Sequence, residues 1–173
     1  MALRFFNTYS RKLEEFAPRD PDSHKIDIYT CGPTVYSRAH IGNFRAYIFE
    51  DLLQRHLEAR GFKVHRVMNI TDVDDKTIVG AHEAGVPLTK FTQQFKDAFF
   101  KDADMLRIKR ADEYPAATDQ RFIDKMISMI SALISKGLPT KPTTNRFIFE
   151  STNFRITESS LTSIWMSFNQ PAG

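Results

Sequence analysis

The sequence predicts an α/β fold with a parallel sheet, and three observations carry that prediction. Ile26, Ile28 and Thr30 alternate with Asp27 and Tyr29, which reads as a short strand over residues 26–30. Phe44, Ile48 and Leu52 then repeat at helical spacing, and residues 63–68 return to a strand pattern. A strand, a helix and a second strand in that order form a unit whose strands pair in parallel.

In chain order, residues 3–8 read as a first strand, followed by a charged stretch (residues 11–15) and a loop rich in Pro and Asp (residues 18–23). Cys31-Gly32-Pro33 ends the strand at 26–30, because Gly and Pro favour a turn and deny ladder hydrogen bonds. A helix runs from Gly42 to about residue 60 with Ile41, Phe44, Ile48, Leu52 and Leu53 as its apolar stripe, and Gly61 stops it. A short helix over 76–83 ends at Gly85 and Pro87. Thr89 is the expected N-cap of a helix to about residue 106, with Phe91, Phe95 and Phe99 on one face as core residues. Thr118 is the expected cap of a last helix carrying Phe122, Met126, Ile127, Ile130, Leu133 and Ile134, ended by Gly137. In residues 138–173 no alternation persists; 146–149 and 154–156 are the only strand-like fragments, and 11 of those 36 residues are Ser or Thr.

Composition bounds the chemistry. An apolar fraction of 42% with 26% charged residues is that of a globular, soluble chain. No apolar run approaches the roughly 20 residues that cross a bilayer, so no membrane association is expected. The N-terminus lacks the apolar core of a signal peptide, which makes cytoplasmic the expected location. A net charge of +3 is compatible with a nucleic-acid partner without requiring one. The single cysteine excludes a disulfide within the chain.

The turn between the strand at 26–30 and the following helix is the best candidate site. There the positive helix end and its unpaired backbone N–H groups meet, a natural seat for phosphate. His40 and Asn43 add donors and Gly42 adds no side chain, so His40, Ile41, Gly42 and Asn43 suit a nucleotide triphosphate. At the C-terminal end of the strand 63–68, where open α/β sheets bind ligands, stands Asn69-Ile-Thr-Asp-Val-Asp-Asp-Lys76. Its carboxylates superficially match a calcium loop, but Thr77 stands where that loop needs Gly and a strand precedes it. Helix capping is the expected role of these acids. Cys31 reads either as a buried small hydrophobe or, from its position at the strand end, as a ligand.

Cys-Gly-Pro-Thr-Val-Tyr (31–36), His-Ile-Gly-Asn-Phe-Arg (40–45) and Asn-Ile-Thr-Asp-Val-Asp-Asp-Lys (69–76), in that order and spacing, resemble the class I aminoacyl-tRNA synthetases. Among them the motifs are most similar to the cysteinyl-tRNA synthetases. The resemblance continues through Ala-Asp-Glu-Tyr-Pro (111–115) to about Gly137, and covers only the N-terminal part of a family member.

The resemblance implies a partial Rossmann-like sheet of the catalytic domain over residues 1–84 and a helical connecting or insertion region over 85–137. Residues 138–173 form a poorly specified tail. It implies a cysteine–tRNA ligase: cysteine and ATP give cysteinyl adenylate, and the cysteinyl group passes to tRNA. His40 and Asn43 are the implied catalytic donors around the α-phosphate. Gly32, Thr34, Asn69 and Thr71 are implied to bind cysteine or its adenylate, and Cys31 to ligate a zinc ion that holds the substrate thiolate. The family's other zinc ligands have no counterpart here, since His24, His56, His65 and His82 do not match them, so weak or no zinc binding is expected.

Ser37 stands where the family commonly has Asp, Ala46 where it often has Thr, and Ala116 where Arg is usual. The signature loop with its catalytic lysine and the anticodon-binding domain have no counterpart in these residues. Adenylate formation by this chain alone is therefore expected to be very slow or absent. The composition change after Gly137 reads as an altered reading frame. Two alternatives stand beside the ligase: an inactive nucleotide- or protein-binding remnant that associates with a separate C-terminal half, and a related ligase joining cysteine to an amino sugar.

Overall fold

The computed structural model describes residues 2–18, 20 and 22–136, together with the backbone of 140–143 and 146–149. Strand β1 (Arg4–Asn7) pairs antiparallel with β2 (Lys12–Glu15). The charged stretch at 11–15 thus supplies the second arm of a hairpin. Every β2 side chain is exposed, which is why its Lys-Leu-Glu-Glu sequence shows no strand pattern. Strand β3 (Lys25–Thr30) and β4 (Lys63–Met68) pair in parallel, from Lys25 opposite Lys63 to Thr30 opposite Met68. Helix α1 (Ile41–Ala59) makes the crossover between them, as expected. Gly61 follows it with φ +89°, a left-handed conformation that glycine adopts without strain.

The opposite edge of β4 is occupied by the segment around 113–116. The Met68 N–H donates to the Glu113 carbonyl and the Ile70 N–H to the Pro115 carbonyl. Helix α2 (Asp75–Glu83) leads to α3 (Leu88–Met105) and then α4 (Gln120–Ser135). The last described elements are β5 (Thr140–Thr143) and β6 (Arg146–Phe149), an antiparallel pair whose second strand is the one expected at 146–149. The strand fragment expected at 154–156 lies outside the described residues.

Phe44 and Tyr47 of α1, Met68 of β4, Phe99 and Ala103 of α3, and Ile108 and Ala111 beyond it form the core. Phe44 stacks on Phe99 with ring centroids 6.0 Å apart, and Tyr47 meets Phe99 edge-on at 5.3 Å. Phe91 and Phe99 are buried as expected of core residues. Among the described residues no helix is long and apolar enough to cross a membrane.

Three expectations need correction. The α1 stripe is not purely apolar. Ile41 and Leu52 are exposed, while Glu50, Asp51 and Gln54 are buried beside Phe44, Tyr47 and Leu57. Helix α3 is entered through Pro87, with no side-chain cap, so Thr89 lies inside the first turn. Helix α4 is capped by Asp119, which accepts from the Arg121 N–H at 3.1 Å. The hydroxyl of Thr118 is taken instead by Asp72, at 2.6 Å.

Candidate functional site

The turn after β3 and the start of α1 enclose one side of a cavity of about 380 Å³, within the range of roughly 300–1,000 Å³ typical of small-ligand sites. Cys31, Gly32, Thr34, His40 and Asn43 are on its wall, and so are Tyr36, Tyr47, Glu50 and Lys76. The residues at 31–34 and at 40–43 thus share one cavity. Ser37 and Ala46, two of the positions that depart from the family's usual residues, also line it.

His40 is the N-cap of α1. Its backbone is extended (φ −100°, ψ 174°), and its Nδ1 accepts from the Gly42 N–H at 3.1 Å while Asn43 Oδ1 accepts from the His40 N–H at 3.0 Å. This is a capping box with imidazole in the place usually held by Ser or Thr. Since Nδ1 is an acceptor, the neutral ring carries its proton on Nε2, leaving an N–H donor at the outer edge. Asn43 in turn spends its oxygen on the cap and keeps its amide NH₂. Gly42 matters for a reason the sequence does not reveal. A Cβ there would lie 2.9 Å from the imidazole Cε1, so any side chain would displace the ring.

Behind this turn, the 31–35 segment is anchored to the end of β4. Asn69 Oδ1 accepts from the Gly32 N–H at 3.2 Å, and Asn69 Nδ2 donates to Thr71 Oγ1 at 3.3 Å. The Val35 N–H donates to the Thr71 carbonyl and the Thr71 N–H to the Pro33 carbonyl, each at 3.0 Å. A Cβ on Gly32 would collide with the Asn69 carbonyl oxygen, so the two chain segments can approach this closely only with glycine there. Asn69 and Thr71 therefore brace the cavity from behind, and neither is among its lining residues; nor are Ile41 and Gly42.

The acidic run after Thr71 is structural. Asp74 caps α2, accepting from the Lys76 N–H at 2.8 Å. Asp72, 1% exposed, receives the Lys96 ammonium at 2.6 Å and the Thr118 hydroxyl. Burial alone would raise its carboxyl; Lys96 and Thr118 outweigh that and hold it below the usual range. Lys76, between these acids and the cavity, lies 4.9 Å from the Tyr36 ring centroid.

Deeper along α1 the wall changes character. Burial, followed by the charges of Glu50 and Cys31, pushes the Tyr47 phenol up, so it stays an O–H donor. Burial also raises the Glu50 carboxyl to about 7, against the opposing pull of the Thr30 hydroxyl and Arg66. Tyr47 and Glu50 follow His40 and Asn43 at steps of four and three residues. The same helical spacing in the sequence puts them on the cavity face, a different face from the expected apolar stripe.

The donor set does not fit a zinc ion. Cys31 is an exposed thiol, and among the described residues no three His, Cys, Asp or Glu side chains gather, whereas structural and catalytic zinc sites need three or four protein ligands. His24, His56, His65 and His82 are all exposed.

The family model described as tRNA synthetases class I (C) catalytic domain matches residues 18–161, which extends past Gly137. A cysteine–tRNA ligase of Protochlamydia amoebophila is 52% identical over 139 residues, and one of Lactococcus lactis is 46% identical over 134. These alignments take in 80% and 78% of this chain but only 28% and 29% of the relatives. Among solved structures, the Mycobacterium tuberculosis methionyl-tRNA synthetase in complex with methionyl-adenylate is similar with a TM-score of 0.63. At 19% identity, over 73% of this chain and 26% of that one, the likeness is one of fold.

Proposed function

Because this chain belongs to the family of class I (C) tRNA synthetase catalytic domains, we propose that its cavity binds ATP and cysteine for adenylate formation, the first step of charging tRNA with cysteine. The observation that carries the reading is that the imidazole of His40 and the thiol of Cys31 open on one cavity. An anionic carboxylate attacking an anionic α-phosphate needs fixed donors around the phosphorus. The His40 Nε2–H, the Asn43 amide and the start of α1 are such donors, and their capping bonds orient them before any ligand arrives. Lys76 adds positive charge on the same wall. Cys31, Gly32 and Thr34 border the part of the cavity that takes the amino acid, with Asn69 and Thr71 holding that turn in place.

A second reading is favoured by one fact: the chain spans about 28% of the length of the curated relatives it matches. In this reading the chain binds nucleotide, and the lysine loop, the remaining zinc ligands and tRNA recognition come from sequence outside these 173 residues, in the same polypeptide or another. ATP, cysteine and tRNA are all cytoplasmic, and both readings place the protein there.

Exchange of labelled pyrophosphate into ATP separates the two. Cysteine-dependent exchange that falls about 100-fold or more in His40→Ala, the loss typical of a removed oxyanion donor, establishes activation by this chain. ATP binding without exchange establishes the second reading, and no ATP binding contradicts both. Exchange followed by transfer to an amino sugar and not to tRNA would assign the related ligase chemistry.

A further inference from the structure

The cavity wall carries a carboxyl group, Glu50, that phosphate binding does not use. Glu50 is 6% exposed and lines the cavity, yet its Oε2 has no hydrogen-bond partner, and the Thr30 hydroxyl at the end of β3 faces the same carboxyl. A buried carboxylate with open lone pairs is costly unless a cation meets it. Arg66 attracts it from the β4 side but does not satisfy it. The Arg66 Nη2 donates to the Lys109 carbonyl, while its Nε and Nη1 reach no acceptor. Glu50 also lies ten residues along α1 from His40, about 15 Å at 1.5 Å per residue.

The cavity therefore has electrical polarity. Its outer end holds N–H donors, Lys76 and the positive start of α1, and further along α1 stands the Glu50 carboxyl, with the Thr30 hydroxyl and Arg66 behind it. A zwitterion placed in that field turns its carboxylate outward and its ammonium inward. We propose that Glu50, with Thr30, is a specificity-determining site for the α-ammonium group of the amino-acid substrate. The carboxylate, held by the Thr30 hydroxyl behind it, accepts ammonium N–H bonds, and the substrate carboxylate is thereby aimed at the triphosphate end. This rests on the reading that the cavity takes a free amino acid beside ATP.

The test is calorimetric titration of the 173-residue chain in the presence of a chelator, which removes metal cations as rival occupants. The ligands are cysteine, ATP and 3-mercaptopropionate, which is cysteine without its amino group. Wild type should bind cysteine at least about tenfold more tightly than 3-mercaptopropionate, the effect of one charge-assisted hydrogen bond. Glu50→Gln should erase that preference and leave ATP affinity unchanged. Thr30→Val, which keeps the carboxylate and its partner Arg66, should reduce the preference in part and guards against a Gln variant that fails to fold. An unchanged preference in either folded variant overturns the proposal alone, and would leave Glu50 as no more than the counter-charge of Arg66. Absence of cysteine binding by wild type, with ATP still bound, overturns both the proposal and the amino-acid reading of the cavity.

Discussion

Helices α1 and α4 are similar in length and opposite in what they bury. Helix α4 has the cleaner apolar stripe, yet none of its residues is buried, and Met126, Ile127, Met129 and Ile134 are exposed. Helix α1 is far more polar, yet it buries Glu50, Asp51 and Gln54. The difference lies in the partners the fold supplies. Asp51 accepts the Lys109 N–H at 2.8 Å and the Arg55 Nε–H at 2.7 Å, Gln54 donates to Glu58 at 3.0 Å, and Glu50 faces the cavity. An apolar stripe records a readiness to be covered; burial requires that something lie against it.

The comparison predicts that the residues bracing the cavity dominate the stability of this chain and that α4 contributes little. Asp72 offers the largest effect. Asp72→Ala strands the Lys96 ammonium and should cost about 3–5 kcal/mol in urea unfolding. A loss below about 1 kcal/mol would break the comparison at its strongest point. A pH series sharpens it further, because Asp72 and Glu50 act with opposite signs. The Asp72 carboxyl is lowered from 3.8, so its stabilisation is complete above that value and is lost as pH falls through the lower folded value. Glu50 is raised from 4.5 to about 7, so its folded form holds the proton more tightly and stability falls as pH rises across that window. Glu50→Gln should flatten the second limb and leave the first intact.

Gly32→Ala comes next. Its added Cβ meets the backbone of Asn69, which cannot swing aside as a side chain would, and about 2–3 kcal/mol is expected from overpacking. Neutral behaviour in the same unfolding assay would mean that the 31–35 turn and the end of β4 are not held as described. The smallest effect belongs to α4. Ile127→Ser should change stability by less than about 0.5 kcal/mol, as for an exposed position. A loss of 2 kcal/mol would show that the α4 face is covered after all.

The same contrast explains which parts of the molecule were legible in the sequence. The β3–α1–β4 unit rests on local periodicity and a Gly-Pro turn, and its elements and their order could be read, though not which face of α1 is buried. Cys31, Gly32, Thr34, His40 and Asn43 share one wall because the strand–turn–helix that holds them is local too. Long-range partners left no such trace. Thr118 looks like a helix cap, but its hydroxyl belongs to an aspartate 46 residues earlier. Asn69 and Thr71 fall in a motif beside the cavity and serve from behind it, because their partners are the Gly32 and Val35 amides. Glu50 and Tyr47 were at the right helical spacing to be found. A search for apolar positions alone passes over a buried carboxylate.

Backbone amide NMR during addition of ATP and then cysteine tests the shared cavity most directly. ATP should shift the amides of Gly42, Asn43 and Lys76, and cysteine those of Cys31, Gly32 and Thr34, with residues 120–135 unmoved by either. Ligand-induced shifts gathered on α4, or ATP and cysteine perturbing separate surfaces, would contradict a single site spanning the imidazole and the thiol.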